Sequence, residues 1–379
     1  MIANGYVQPG AWLGLLGGGQ LGRMFTMAAQ SMGYRVAVLD PGDHSPAGSV
    51  ADRHIRADYL DARGLEALAG LCAGVTTEFE NVPARALEYL ASHCRVSPDA
   101  AAVSIAQDRI REKAFVRSCG IETVPFAPIL TAADLDAAPA NLFPGILKVS
   151  RLGYDGKGQI RVADLTAAHA AFNELSAVAC VLEQRMQLQC ELSVVIARNA
   201  EGAVAIYPVA ENEHANGILD VSIVPARVDV ATANRARDAA LAIAHGLKYV
   251  GVLCVEFFQL QDGSIVVNEI APRPHNSGHY TIDASVTSQF EQQARVLAGL
   301  PLGATDQHCP AVMVNLLGDL WQNGEPDWRT VLAHPHAKLH LYGKAEARPG
   351  RKMGHVTCLG ASLEEALVTA MKIRAVLKV

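Results

Sequence analysis

Gly251-Val-Leu-Cys-Val-Glu256-Phe-Phe-Gln-Leu-Gln-Asp262-Gly263-Ser-Ile-Val-Val-Asn268-Glu269-Ile-Ala271 is the stretch around which the chain organises itself. Two apolar runs, 251–261 and 264–270, flank an Asp-Gly pair, among the strongest short-range signals for a β-hairpin. A two-residue turn at Asp262-Gly263 with no bulge sets Glu256 opposite Glu269 on one face, with Cβ atoms roughly 4.5–5.5 Å apart. Opposed carboxylates between apolar strands destabilise each other unless a cation sits between them. Two carboxylates completed by water and phosphate oxygens suit magnesium. The plainer reading is a pair of exposed glutamates, and a bulge would spoil the register.

Working back from the hairpin, 229–247 reads as a helix, and 178–183, 192–197 and 203–209 read as strands. Ile146-Leu-Lys148-Val is a strand feeding a glycine-rich loop, Gly153-Tyr154-Asp155-Gly156-Lys157-Gly158-Gln159. Such a loop predicts a flap whose N–H groups close over phosphates, with an ordinary surface loop as the alternative. The spacing is not that of a Walker A motif. A charged amphipathic helix is expected at 107–119, and 132–140 as a surface loop or short helix.

The first hundred residues alternate strand and helix, which predicts a parallel, doubly wound sheet. Strands are expected at 11–16, 35–39, 54–57 and 74–80. Between the first two lies Gly17-Gly18-Gly19-Gln20-Leu21-Gly22, with Asp40 about twenty residues on, a G-x-G-x-x-G pattern in its proper context. The pattern supports a phosphate site at a helix N-terminus. A nicotinamide cofactor is one use of it; a tight turn or another phosphorylated ligand are the others. Residues 1–10 read as an unstructured leader. Beyond Pro301 comes a smaller mixed unit with a basic turn, Lys344-Ala-Glu-Ala-Arg348-Pro-Gly-Arg351-Lys352-Met-Gly-His355. Arg forks suit phosphate oxygens, while a solvated turn is the bland alternative. The closing helix is opened by Ser362-Leu-Glu-Glu365, a capping-box spacing.

Composition narrows the class. The 379 residues are 50% hydrophobic and 18% charged, with a net charge of −6, which suits a folded chain of two or three domains rather than a disordered one. No apolar run approaches the ~18 residues of a membrane span. A mildly acidic chain is a poor general nucleic-acid binder. The eight cysteines are scattered without metal or redox spacing, as expected of buried thiols in a reducing cytoplasm.

Taken together, these motifs resemble the ATP-grasp superfamily and, within it, the N5-carboxyaminoimidazole ribonucleotide synthases. The resemblance runs from Gly17 to about His355. Its most specific parts are Asn268-Glu-Ile-Ala-Pro-Arg273-Pro-His-Asn-Ser-Gly-His279 and Arg348-Pro-Gly-Arg-Lys-Met-Gly-His355. A formate-dependent glycinamide ribonucleotide transformylase carries His-Asp-Thr-Gly in the first of these places. That relative and an NAD-dependent oxidoreductase are the alternative readings.

The resemblance implies a mixed α/β and α+β architecture. A doubly wound N-terminal unit (1–108) precedes an ATP-grasp unit (109–300) and a small mixed C-terminal unit (301–379). It implies ATP-dependent carboxylation of 5-aminoimidazole ribonucleotide by bicarbonate through carboxyphosphate, in purine biosynthesis, with Mg²⁺, in a cytoplasmic homodimer without nucleic-acid or membrane partners. Arg109, Lys148 and the 153–159 loop would hold ATP phosphates. Glu183, Gln184, Arg185 and Met186 would line the adenine, and Glu191 and His214 would contact the rest of the nucleotide. Glu256 and Glu269 would bind the metal beside Asn268. Gln20, Glu78, Tyr154, Asp155, Asn276, Lys344, Arg351 and Lys352 would hold the ribonucleotide. Arg273 and His275, with Lys148, would act on bicarbonate.

Overall fold

The computed structural model describes residues 2–3, 5–153 and 157–377, so the expectations for Tyr154, Asp155 and Gly156 lie outside the described residues. The N-terminal sheet is parallel and five-stranded, in the order Arg53–Ile55, Arg35–Leu39, Trp12–Leu16, Gly74–Thr77, Arg95–Val96. Its strands Trp12–Leu16 and Arg35–Leu39 are largely apolar runs because helices cover both faces. Leu13 and Leu15 face the helix Gln20–Ser31 and the helix Gln289–Ala298, while Leu16 and Leu39 face the helices Ala62–Leu71 and Ala84–Ala91.

The leader expectation fails. Ile2–Ala3 and Tyr6–Val7 pair as a short antiparallel ribbon, Val7 is buried, and the Tyr34 hydroxyl donates to the Val7 carbonyl over 2.8 Å. Ile2, Tyr6 and Val7, apolar in a segment with few polar residues, were the available signal.

A four-stranded antiparallel sheet follows, ordered Gln159–Val162, Gly145–Val149, Cys180–Gln184, Phe126–Ile129. The largest sheet is antiparallel and nine-stranded. It runs Ile265–Ala271, Gly251–Leu260, Leu188–Arg198, Ala210–Ala215, Ile218–Val224, Ala311–Leu317, Lys352–Leu359, Ala337–Leu341, with Val204–Ile206 on the third strand. Strands on either side of residue 300 therefore share one sheet. Alternation sorts its faces. Leu192, Val194, Ile196, Leu253, Val255 and Phe257 bury against the helix Val230–Gly246, leaving Ser193, Cys254 and Glu256 on the other face. That helix is capped by Asp229, which accepts from the Thr232 N–H over 2.9 Å. Among the described residues no helix is long and apolar enough to cross a membrane.

Candidate active site

The hairpin places Glu256 opposite Glu269, as expected, but by a different route. The turn closes with Leu260 N–H to the Ser264 carbonyl and Gly263 N–H to the Leu260 carbonyl, a three-residue loop with Gly263 at φ +82°. Near the turn Phe257 therefore faces Val267 rather than Asn268. A bulge at Asn268 then restores the register, so Glu256 meets Glu269 and Val255 meets Ile270. The extra turn residue and the bulge cancel.

A bulge frees main-chain polar groups that must find other partners. Here the helix Arg109–Ser118 supplies them. Arg109, Glu112 and Lys113, spaced to share one helical face, reach the bulged strand together. Lys113 Nζ donates to the Asn268 carbonyl (3.2 Å), the Glu112 carboxyl accepts from the Ile270 N–H, and Arg109 Nη1 pairs with Glu269 at 2.9 Å. Burial, with the Glu269 charge nearby, pushes the Glu112 carboxyl up to about 8. The other carboxylate, Glu256, meets His275 Nε2 at 2.9 Å. Burial raises its pKa, but His275, His214 and Lys352 outweigh this and hold it ionised. Each glutamate thus carries its own protein cation.

Those two carboxylates fit magnesium, which takes one or two protein carboxylates and completes its shell with phosphates and water. The Oδ1 atom of Asn268, beside Glu269, is buried without a hydrogen-bond partner, a further oxygen available there. Among the described residues no group of three or more His, Cys, Asp or Glu could hold a metal alone.

Lys148 and Lys113 both clamp Glu183, at 2.7 and 2.9 Å, in a site where Lys113 and Glu183 are 1% and 2% exposed. Burial raises the Glu183 pKa, yet the two ammonium groups win and hold it well below the usual carboxylate range. The Glu183 side chain is therefore committed to holding Lys148. A depressed folded-state pKa contributes stability above the unfolded value, about 4.3 for Glu. Glu183→Gln should cost about 3 kcal/mol at neutral pH, since it leaves two buried cations short of a partner. The deficit should shrink as pH falls below about 4; urea unfolding across pH 3–7 measures it, and a pH-independent deficit counts against the ion triad. Gln184 and Arg185 donate their N–H groups to the Pro125 and Pro144 carbonyls, at 2.9 and 3.0 Å. Glu191 pairs with His214 Nδ1 at 2.8 Å. In the glycine loop, Gly158 has φ +72° and its carbonyl receives the Val149 N–H, so Gln159 lies opposite Lys148; Gly153 and Lys157 flank the part not described.

The second half of the site lies between the N-terminal and C-terminal units. The G-x-G-x-x-G loop is already filled by the protein. The Glu78 carboxylate accepts from the Gly19 N–H and from the Gly22 N–H (2.7 Å), occupying the helix N-terminus where a dinucleotide phosphate would sit. A Cβ on Gly19 would lie 2.6 Å from Glu78 Oε1, so these glycines serve the approach of a side chain, not of a cofactor. Gln20 opens the same helix. Burial raises the Glu78 pKa, opposed by those two N–H groups and by nearby Lys344. Tyr342 packs with Leu21 and Phe25 of the first unit and so carries the basic turn to this edge. Lys344 Nζ donates to the Lys352 carbonyl at 2.6 Å, and Arg351 Nη1 to the Glu346 carbonyl at 2.9 Å. Asn276 exchanges hydrogen bonds with Asn315.

Arg273 and His275 join the halves. Arg273 Nε donates to Glu80 at 2.6 Å and Nη1 to the Pro274 carbonyl at 3.2 Å. His275 Nδ1 meets Ser277 Oγ at 2.9 Å, and Ser277 is linked at 2.7 Å to Ser193, the residue facing Glu256 across the sheet. Gln289 brackets the His275 backbone, accepting its N–H (2.8 Å) and donating to its carbonyl (2.7 Å). The sequence reading missed Glu80, Glu112, Lys113, Ser193, Ser277, Gln289 and Asn315. Only Ser277 stood inside a quoted motif; Glu80 ended an expected strand, and the others act from elements the motifs do not reach.

Three family descriptions tile the chain: a ribonucleotide synthetase preATP-grasp domain at 11–107, an ATP-grasp domain at 114–290, and a phosphoribosylaminoimidazole carboxylase C-terminal domain at 311–369. The N5-carboxyaminoimidazole ribonucleotide synthase of Brucella melitensis is 49% identical over 93% of this chain and 97% of its own. The chain belongs to the N5-carboxyaminoimidazole ribonucleotide synthase family. It is an ATP-grasp ligase. An ADP complex of a synthetase of this family superposes with a TM-score of 0.91, at 41% identity and 97% coverage of both chains. The Aspergillus clavatus synthase, solved with ADP and 5-aminoimidazole ribonucleotide, gives 0.89 at 32% identity, covering 97% of this chain and 98% of that one. Synthase membership and the filled glycine loop together remove the nicotinamide reading.

Proposed function

We propose that the protein makes N5-carboxyaminoimidazole ribonucleotide from 5-aminoimidazole ribonucleotide, bicarbonate and ATP. The observation carrying this is the 273–279 loop, which stands between an ATP-grasp carboxylate pair and a basic turn suited to a ribonucleotide phosphate. Arg109, Lys148 and the 153–159 loop hold the triphosphate, with the 183–186 segment, Glu191 and His214 along the nucleoside. Glu256 and Glu269 hold magnesium, which supplies charge neutralisation when bound. Gln20, Glu78, Tyr154, Asp155 and Asn276 address the aminoimidazole ribonucleotide, and Lys344, Arg351 and Lys352 its phosphate. We extend the reading to a cytoplasmic homodimer and to the three units 1–108, 109–300 and 301–379.

Bicarbonate and triphosphate share a sign, so attack of a bicarbonate oxygen on the γ-phosphorus needs fixed cations. Lys148, held rigid by Glu183, and Arg273, held by Glu80, supply them without reorganising. ADP leaves and carboxyphosphate forms; its breakdown gives CO2 and phosphate, and the exocyclic amine adds to the CO2 carbon. Carboxyphosphate hydrolyses readily, so closure of the glycine loop excludes water.

ADP release with bicarbonate should depend on aminoimidazole ribonucleotide, and carboxylated product should form with it. Formate-dependent product from glycinamide ribonucleotide would instead favour the transformylase. Arg351→Ala should raise KM for the ribonucleotide about tenfold or more, the loss of one charge-assisted contact, and leave KM for ATP unchanged. Equal effects on both count against the phosphate clamp.

A further inference from the structure

Asn276 lies between His275 and Ser277, in the loop that the proposed reaction uses. Its side-chain amide forms a reciprocal pair with Asn315. Asn276 Nδ2 donates to Asn315 Oδ1 over 3.0 Å, and Asn315 Nδ2 returns a bond to Asn276 Oδ1 over 2.7 Å. Asn315 also donates to the Leu219 carbonyl over 2.7 Å. Asn276 and Asn315 are 7% and 0% exposed. A primary amide has two donor hydrogens and one carbonyl, so Asn315 is used at every polar atom and has one orientation. Aspartate has no hydrogen to return, and glutamine is a carbon too long.

The placement of Asn315 gives this pair a use beyond filling the core. Asn315 sits mid-strand in Ala311–Leu317, opposite His355 of Lys352–Leu359, and that second strand begins at Lys352 of the basic turn. One strand pair thus carries, at its end, a cation for the ribonucleotide phosphate and, at its middle, the amide that grips the reacting loop. We propose that Asn315 is a positioning residue for carboxyl transfer: through Asn276 it fixes the loop bearing Arg273 and His275 at a set distance from the bound ribonucleotide. It rests on the reading of the reaction given above.

A slackened loop should still let ATP and bicarbonate react, though more slowly, since Lys148 and Glu269 are held from other elements while Glu256 and Arg273 depend on the loop. It should align the amine poorly, so the activated carboxyl group is lost to water before transfer. Asn315→Ala is expected to lower kcat for product about 10²-fold, the scale of an ångström-sized misplacement. KM for ATP should not move, and the ADP-to-product ratio should rise well above the wild-type value. Asn276→Ala should give the same uncoupling at saturating ribonucleotide, and the double variant should be no worse than either single one. Additive losses, or a lowered kcat with an unchanged ratio, overturn the proposal. Should Asn315→Ala fail to fold, the ratio in Asn276→Ala decides alone. Hydrogen exchange of the Gly278 and His279 amides, measured without substrates, should quicken in either variant. Unchanged exchange in the folded variants also overturns it, whatever the wild-type enzyme proves to make. A wild type that yields no product from aminoimidazole ribonucleotide refutes the reaction and leaves the exchange result to judge the positioning.

Discussion

Glu269→Gln is expected to lower ADP formation by about 10³-fold or more, with the fold intact, on the scale of removing a charged group that stabilises a transferring phosphoryl. The substitution is nearly isosteric. Its amide oxygen can still accept from Arg109, which now pairs with the Glu269 carboxylate at 2.9 Å. What disappears is one negative charge from a pair that the sheet sets face to face. Opposed carboxylates repel each other, so a chain that keeps both would gain from a cation bound between them. Arg109 and His275 compensate them singly in the protein as it stands, which is why losing one charge should not unfold it. ADP release at saturating ATP reads the effect, and the urea midpoint serves as the control. Turnover within a few-fold of wild type, at an unchanged midpoint, sinks the assignment of this pair.

Arg273→Ala should affect both activity and stability, and the two can be separated. Product formation should fall about 10²–10³-fold, the usual consequence of removing one donor aimed at developing negative charge. Stability should fall by about 3 kcal/mol, the lower end for breaking a buried pair, because Arg273 and Glu80 keep 18% and 23% exposure. Burial raises the Glu80 pKa and the Arg273 guanidinium more than reverses it, so the variant strands a carboxylate the fold had neutralised. Adding Glu80→Ala should restore much of the stability and none of the turnover. Arg273→Lys should remain slow, because an ammonium cannot keep the planar fork that holds Glu80 while facing an anion. Recovery of turnover in Arg273→Ala/Glu80→Ala would show that Arg273 acts only as a structural partner.

Local sequence carried the reading a long way where one element settles the matter. The strand Arg35–Leu39 and the helix from Asp229 follow from apolar period, and the Asp262-Gly263 turn signal marks the hairpin. The hairpin also shows the limit. Its register depended on two single-residue departures, a longer turn and a bulge at Asn268, and neither is written in the hairpin itself. The bulge is stabilised by Glu112 and Lys113, some 155 residues away. The glycine loop is a second case. Its pattern pointed to a ligand phosphate at a helix N-terminus, but the acceptor there is the Glu78 carboxylate, brought in by the neighbouring parallel strand.

By itself the sequence determined which elements form and which residue types the chemistry needs, because periodicity, caps and motif spacing act over a few residues. Only the tertiary structure decided how the charges are compensated. Lys148 with Lys113 on Glu183, Arg273 on Glu80, and Asn315 on Asn276 each join segments far apart in the chain. A buried charge or amide must find its partner wherever packing brings one within about 3 Å, and sequence distance places no constraint on where that is.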